Sequence, residues 1–390
     1  MRVAVVAEYY PRAADPVLGV WAHRQALAAR AAGADVRVLV LHRPVPSKAA
    51  LRGREQRALL APLRQPLRAE LDGLRVDYVP FLAPPRSRSY GAWGAWAAPT
   101  LALALRRLRR GFPFELVHAH YAAPAGDAVR RARPDVPVVV SVHGGDVLAL
   151  AQRSPAGAAA VRAGLVHARL VLANSAGIAA RARALGAART EVVHLGTDLP
   201  AANDGRERPG ASLVTVGHLV ARKRHGDVLR ALWLLRDTHP ELHWDVVGDG
   251  PEREPLERLA AELGLDGRVR FRGQLAPAEA RSAAQAAGVF VLPSVDEAFG
   301  VAYVEAMAGG VPAIGSRGEP GPEEIAAAGA GLRLVAPADP EALAGELRAL
   351  IDDPDWQREL GVAARATVQA SFTWERCGRA TVAAYEAALR

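Results

Sequence analysis

Val289–Ile314 reads VFVLPSVDEAFGVAYVEAMAGGVPAI, and it contains a strand, a turn, a helix and a second strand in succession. Val289–Leu292 is a short run of β-branched and aromatic residues, and Pro293, Ser294 and Asp296 punctuate it. A helix opens near Gly300 and ends at Gly309–Gly310, and Val311–Ile314 restores a strand pattern. Both apolar runs lack polar alternation, as strands covered on both faces do, so the stretch predicts a βαβ unit in a parallel sheet.

Similar runs recur along the chain. In the first half they are Val3–Ala7, Val36–Leu41, Leu116–His118, Val138–Val142, Leu170–Ala173 and Glu191–Val193. In the second they are Leu213–Val216, Trp244–Val247, Val269–Phe271, Val289–Leu292, Val311–Ile314 and Leu332–Val335. Each is followed by an Ala/Leu/Arg-rich segment of helical character. Twelve strands are too many for one sheet, and 390 residues exceed what one hydrophobic core sustains. The expected fold class is therefore α/β, with two doubly wound, Rossmann-like domains of about six strands each. The break is expected in Leu199–Ala211 (LPAANDGRERPGA), which is polar and lacks apolar periodicity. That gives domains over 1–200 and 201–372, with the final helical segment, 373–390, joined to the first.

Composition narrows the function classes. Residues 1–200 carry 28 basic and 13 acidic side chains, and residues 201–390 carry 21 and 28. The basic first half suggests an anionic partner: nucleic acid, membrane surface or pyrophosphate-linked substrate. Residues 43–68 hold seven basic side chains and one acid, followed by Tyr90, Trp93 and Trp96. Two readings stand for this stretch: an anionic-membrane contact with interfacial aromatics, or a solvated Arg-rich helix with tryptophans in the core. Cys377 is the single cysteine, which excludes an internal disulfide and a cysteine-based zinc site. Met1–Ala7 enters a strand without a secretory signal pattern, and no apolar run is long enough to span a membrane. The cytoplasm, extending to the inner membrane face, is the expected compartment. No Walker-type loop and no Gly-x-Gly-x-x-Gly follows the first strand, which argues against kinases and most dinucleotide enzymes. Nothing resembles a nucleic-acid module beyond basicity, so nucleic acid is not expected as a partner.

The chemistry concentrates in Ser294–Gly309 (SVDEAFGVAYVEAMAG). In a doubly wound domain ligands bind at the carboxyl ends of strands, where a helix start offers N–H groups to an anion such as a diphosphate. Glu297 before the helix and Glu305 within it can hydrogen-bond two sets of sugar hydroxyls. Spacing alone does not separate this from the ordinary preference for acids near helix starts. Asp353-Pro354-Asp355 matches an Asp-x-Asp metal pattern, but an Asp-Pro pair between helices reads as an N-cap. No metal is expected.

PSVDEAFGVAYVEAMAGGVPAI resembles the donor-site motif of family-four retaining glycosyltransferases, in which two glutamates separated by seven residues flank a Phe-Gly pair. The likeness continues in VGHLVARKRHGDVLRAL (216–232), VVGDGPEREPLERL (246–259) and VRFRG (269–273). In the first half it continues in DPVLGVWAHRQALAARAAGADVRVL, LVHAHYAAPAG, VSVHGGDV and VVHLGTDL, and it extends to FTWERCGRATVAAYEAAL. The type it resembles most is that of polysaccharide and teichuronic-acid synthesis. The resemblance implies a GT-B fold, with the two domains facing across a cleft and the last helix crossing back to the first.

By position, the resemblance implies that Glu305 binds the nucleotide ribose and Glu297 the transferred sugar. Backbone groups of Ala298, Phe299, Gly300 and Val301 would hold sugar and phosphates, and Lys223 would neutralise the leaving diphosphate. Gly217, Gly248 and Phe271 fall at donor-side strand ends, the last near the base. His218 stands where many relatives carry arginine, and Arg222 or Arg224 would supply the missing charge. His143 is implied to face the anomeric carbon, with Asp146 beside it. His118 and His120 alternate on a strand end and read equally as acceptor-side or structural, and Gly19 lies in a loop where phosphate or acceptor approaches. The expected activity is retaining, metal-independent transfer of a sugar from a nucleotide-diphosphate donor, UDP foremost, to a lipid-linked or other anionic acceptor. No cofactor is expected beyond the donor itself. Weighed against it are transfer to a soluble small acceptor, a sugar-nucleotide epimerase or hydrolase, and a non-catalytic sugar-binding protein.

Overall fold

The computed structural model describes residues 1–46, 60–201 and 210–390. These separate into two compact units: Met1–His194 with Trp374–Arg390, and Leu195–Thr373.

The first unit is built on an eight-stranded sheet. Its strands are β1 (Arg2–Ala7), β2 (Asp35–His42), β3 (Arg68–Leu71), β4 (Leu74–Pro80), β5 (Leu116–His120), β6 (Val138–Val142), β7 (Leu170–Ala173) and β8 (Thr190–Val192), in the order β3-β4-β2-β1-β5-β6-β7-β8. Every pairing is parallel except the β3–β4 hairpin at the edge. That hairpin takes the sheet beyond the expected six strands. Arg68, Glu70, Arg75 and Asp77 break its apolar run, as suits an edge strand whose outer side meets water. The central strands are apolar on both faces because helices cover both: β1, β5, β6 and β7 are buried almost throughout.

Helix α1 (Val20–Ala31) follows β1, and α2 (Trp93–Gly111) precedes β5. The final helix, Trp374–Leu389, belongs to this unit, with Cys377, Ala384, Tyr385 and Ala388 buried in its core. The Tyr385 hydroxyl meets His118 Nδ1 at 2.7 Å, which fastens the helix to β5. Of the three aromatics after the basic stretch, Tyr90 and Trp93 lie in the core and Trp96 is 52% exposed. Residues 47–59 of that stretch lie outside the described residues.

The second unit has a six-stranded, all-parallel sheet. Its strands are β9 (Ser212–Val216), β10 (His243–Val247), β11 (Val269–Gly273), β12 (Val289–Val291), β13 (Ala313–Ser316) and β14 (Leu332–Val335), in the order β11-β10-β9-β12-β13-β14. The order reverses direction beside β9, the place where doubly wound sheets open a crevice at their carboxyl ends. Two helices begin at that end: α3 (His225–Leu234) after β9, and α4 (Val301–Ala308) after β12. Residues 195–200, which the sequence places in the first domain, are bonded within the second unit. Thr197 N–H donates to Phe372 O at 2.9 Å, and Arg365 donates to Pro200 O at 2.6 Å. Residues 202–209 of the expected linker lie outside the described residues.

Candidate functional site

In the second unit the site grows from the turn between β12 and α4. Gly300 caps α4 at φ 89°, and a Cβ there would lie 2.3 Å from the Tyr303 ring, so both conformation and crowding require glycine. The Tyr303 hydroxyl returns to Leu292 O and lies 3.3 Å from Ser294 Oγ, which pins the turn to its strand. Ser294 Oγ donates to Glu297 Oε2 at 2.9 Å, and Glu297 N–H donates to Glu319 Oε2 at 2.8 Å. No side chain caps α4 and no acid lies in its first turn. Its start therefore offers backbone donors and about half a positive charge to an anion.

Lys223 Nζ lies 2.5 Å from Glu297 Oε2, and Arg222 Nη1 lies 3.7 Å from the same oxygen. The Lys223 and Glu297 side chains are 11% and 9% exposed. Burial raises the Glu297 carboxyl pKa, but the charges of Lys223 and Arg222, with hydrogen bonds from Lys223 and Ser294, outweigh it and hold the pKa below the usual value. Sequence reasoning assigned Lys223 and Glu297 to different parts of a donor and missed their pairing with each other. It also missed Ser294, Tyr303 and Glu319, which hold the turn. Only the Glu319-Pro320 helix start gave a local signal of the last.

Gly217 and Gly248 meet at the ends of β9 and β10, where a Cβ on Gly248 would lie 1.9 Å from Gly217 O. His218 is exposed beyond Gly217. Its pKa is lowered by desolvation and by the charges of Arg222 and Lys223, against a raising effect of Asp249, so it is neutral near pH 7. Cationic charge at this end thus comes from Arg222 and Lys223. Ala298 and Phe299 are buried, and Phe299 packs edge-on against Phe372 at 5.7 Å, which leaves backbone as their means of contact. Val301 and Glu305 are half-buried on α4. Phe271 is half-buried on β11, where its carbonyl accepts from Arg253 at 3.3 Å.

In the first unit, His120 and His143 stack at 5.2 Å with His120 Nδ1 3.0 Å from His143 Nε2. Burial lowers the His143 pKa to about 3, and burial with His118 and His143 nearby lowers that of His120. Both rings are neutral at pH 7, so one donates to the other and His143 is a poor proton acceptor. Asp146 is fully buried. Its carboxylate accepts N–H bonds from Ala122 (2.9 Å), Val147 (3.1 Å) and His143 (3.3 Å). Burial still raises its pKa to about 6. The acceptor contact expected of Asp146 gives way to a positioning role, in which the carboxylate ties the turns after β5 and β6 together and so fixes His143. His118 is structural, held between Tyr385 and Ser141 Oγ, the latter at 2.7 Å. Gly19 lies at φ 64°, and the close approach there is by the backbone of Tyr9, 2.2 Å from where a Cβ would stand.

Among the described residues no group of three or more His, Cys, Asp or Glu could hold a metal ion. Asp353 accepts from Trp356 N–H at 2.9 Å as the N-cap of helix Pro354–Ser371.

Two family models match consecutive halves of the chain: "Glycosyl transferase 4-like domain" over residues 18–196 and "Glycosyl transferases group 1" over residues 205–367. A stretch covering 35% of the chain is 38% identical to the MMP α-(1→4)-mannosyltransferase of Mycolicibacterium hassiacum, covering 33% of it. The glycogen synthase of Mycobacterium tuberculosis matches at 29% identity over 100% of this chain and 95% of its own. The chain spans about a third to a half of the length of the first curated relatives it matches. Sucrose-phosphate synthase from Thermosynechococcus elongatus superposes with a TM-score of 0.79 at 23% identity, covering 99% of this chain and 98% of that one. Anabaena HepE in complex with UDP-glucose gives 0.72 at 19%, covering 99% and 100%. The two domain models in their chain order and the paired parallel sheets place the chain in family four of the glycosyltransferases, with the GT-B fold.

Proposed function

We propose that the protein is a retaining glycosyltransferase that moves a sugar from a nucleotide-diphosphate donor, UDP-sugar foremost, to an acceptor hydroxyl. The observation that carries this reading is the buried Lys223–Glu297 pair beside the uncapped start of α4. An incoming diphosphate finds a cation, backbone donors and a helix dipole already oriented, so charge developing on the leaving group is stabilised without reorganisation. Glu297, kept ionised by its neighbours, accepts from sugar hydroxyls, and Glu305 on α4 serves the ribose. The departing phosphate receives the acceptor's proton. No metal takes part. The UDP-glucose complex of HepE supports the donor class.

The acceptor belongs to cell-surface polysaccharide or glycolipid synthesis, at the cytoplasmic face of the membrane. Helix α2 supports the membrane contact. It has no acidic residue, and Trp96, Thr100, Leu103, Arg107 and Arg110 form one exposed stripe at helical spacing. No helix among the described residues is long and apolar enough to cross a membrane.

The test is a thermal-shift screen of UDP-, GDP- and ADP-sugars, followed by product analysis with and without acceptor. Stabilisation by a nucleotide sugar that is lost in Glu305→Ala supports the reading. Rapid donor turnover with no acceptor present would instead identify a hydrolase or epimerase.

A further inference from the structure

Four rings close a circuit at the carboxyl end of the first sheet. Tyr9 follows β1, Tyr121 follows β5, His143 follows β6, and Trp21 sits in the first turn of α1. Centroid separations run Tyr9–Trp21 6.2 Å, Trp21–His143 6.2 Å, His143–Tyr121 5.3 Å and Tyr121–Tyr9 4.9 Å. All four residues are half-buried, so each keeps part of its surface toward solvent.

The arrangement is held from beneath. Tyr121 stands at φ 77°, a backbone conformation unfavourable for an aromatic residue, and Gly145 passes so close that a Cβ would lie 3.3 Å from its ring. The loop from Tyr9 to Trp21 is closed by Gly19 packing on the Tyr9 backbone. Strain and close packing of this kind concentrate where a side chain must be aimed.

We infer that this ring circuit is a stacking platform for a saccharide, and hence that the acceptor is a glycosyl unit bound through its pyranose ring. The inference rests on the transferase reading above. The rings are tilted to one another by 35–54°, so they do not form the parallel slot a flat aryl group requires. A pyranose chair presents electropositive C–H groups to a negative π face and hydroxyls at its rim. One polar atom meets that rim, the Tyr9 hydroxyl, 3.3 Å from that of Tyr90. Among the described residues the one guanidinium over these rings is Arg86, lying 5.1 Å from the Tyr9 centroid and 4.0 Å from that of Tyr90.

The experiment is saturation-transfer NMR on the full chain. The probes are maltose, the methyl α-pyranosides of glucose, galactose and mannose, myo-inositol 1-phosphate and p-nitrophenol. Binding of UDP, GDP and ADP is measured separately as a check of folding and of the donor site. At least one saccharide gives signal. Trp21→Ala and Tyr9→Ala weaken it roughly tenfold, Trp21→Phe largely restores it, and Trp96→Ala leaves it unchanged. Nucleotide binding persists in all of them. Nucleotide bound without any saccharide signal, or a saccharide signal unmoved by Trp21→Ala and Tyr9→Ala, overturns the inference and leaves the transferase reading intact. Signal from the phosphorylated or the aryl probe alone overturns it in favour of that acceptor class. If none of the three nucleotides binds the wild type, the transferase reading falls and takes this inference with it.

Discussion

Replacing Lys223 by methionine removes the nearest cation from a carboxylate that is 9% exposed. Breaking a buried ion pair from one side costs about 3–5 kcal/mol, because the surviving charge is left desolvated. Arg222 at 3.7 Å and Ser294 at 2.9 Å soften the loss, which places the expected cost near 3 kcal/mol. For a unit of this size that corresponds to a fall in melting temperature of roughly 6–12 °C. The pH dependence gives a second signature. Glu297 has a depressed pKa in the folded state, so its contribution is present above the unfolded carboxylate pKa and is lost as pH falls through the folded value. Without Lys223, burial dominates and raises that pKa. The difference between variant and wild type is therefore largest at pH 7–8 and shrinks toward pH 4. Glu297→Gln in the Lys223→Met background removes the stranded charge and recovers most of the stability, but turnover stays low by roughly a hundredfold or more because the leaving group has lost its cation. Differential scanning calorimetry across pH, with initial rates on the donor found by screening, measures both. A Lys223→Met protein melting within a degree of wild type at pH 7.5, or strictly additive effects in the double variant, would refute the reasoning.

Three further outcomes follow from other sites. Gly300→Ala, which forces a Cβ into the Tyr303 ring at positive φ, lowers stability by about 2 kcal/mol or more in urea unfolding. His118 and His225 are buried with pKa values lowered to about 3 and about 4. The unfolded chain therefore binds more protons below pH 6.5, and stability falls by roughly 1.4 kcal/mol per pH unit for each as pH drops from 6.5 toward 4. Asp146, raised to about 6, works the other way between about pH 4 and 6 and offsets about one proton. Urea titrations at pH 7.5 and 5.5 should show the net loss, and His225→Phe should reduce it. On α2, Trp96→Ser combined with Arg107→Glu and Arg110→Glu abolishes sedimentation with anionic vesicles at low salt while leaving the melting temperature within a degree or two, since all three residues are exposed.

The strands, their parallel pairing into two sheets and the helix start at Gly300 were legible because they are local. An apolar run of four or five residues, a glycine and a proline report the conformation of their own segment. The edge hairpin β3–β4 escaped because four of its eleven residues, Arg68, Glu70, Arg75 and Asp77, are charged, so its apolar signal is diluted. The candidate site was legible only as separate motifs. Glu297 and Lys223 were each identified, but 74 residues separate them, and their contact exists because β9 and β12 are neighbours in the sheet. The same holds for the ring circuit, whose members come from positions 9, 21, 121 and 143. Asp146 shows the converse: its motif matched, but burial and three backbone donors gave it a positioning role. Sequence alone thus determined which segments are strands and which residue types stand at their ends. Which of those ends lie side by side, which charges are buried together and which rings share one surface followed only from sheet order and packing, because proximity across a parallel sheet is a property of the assembled layer and not of any segment within it.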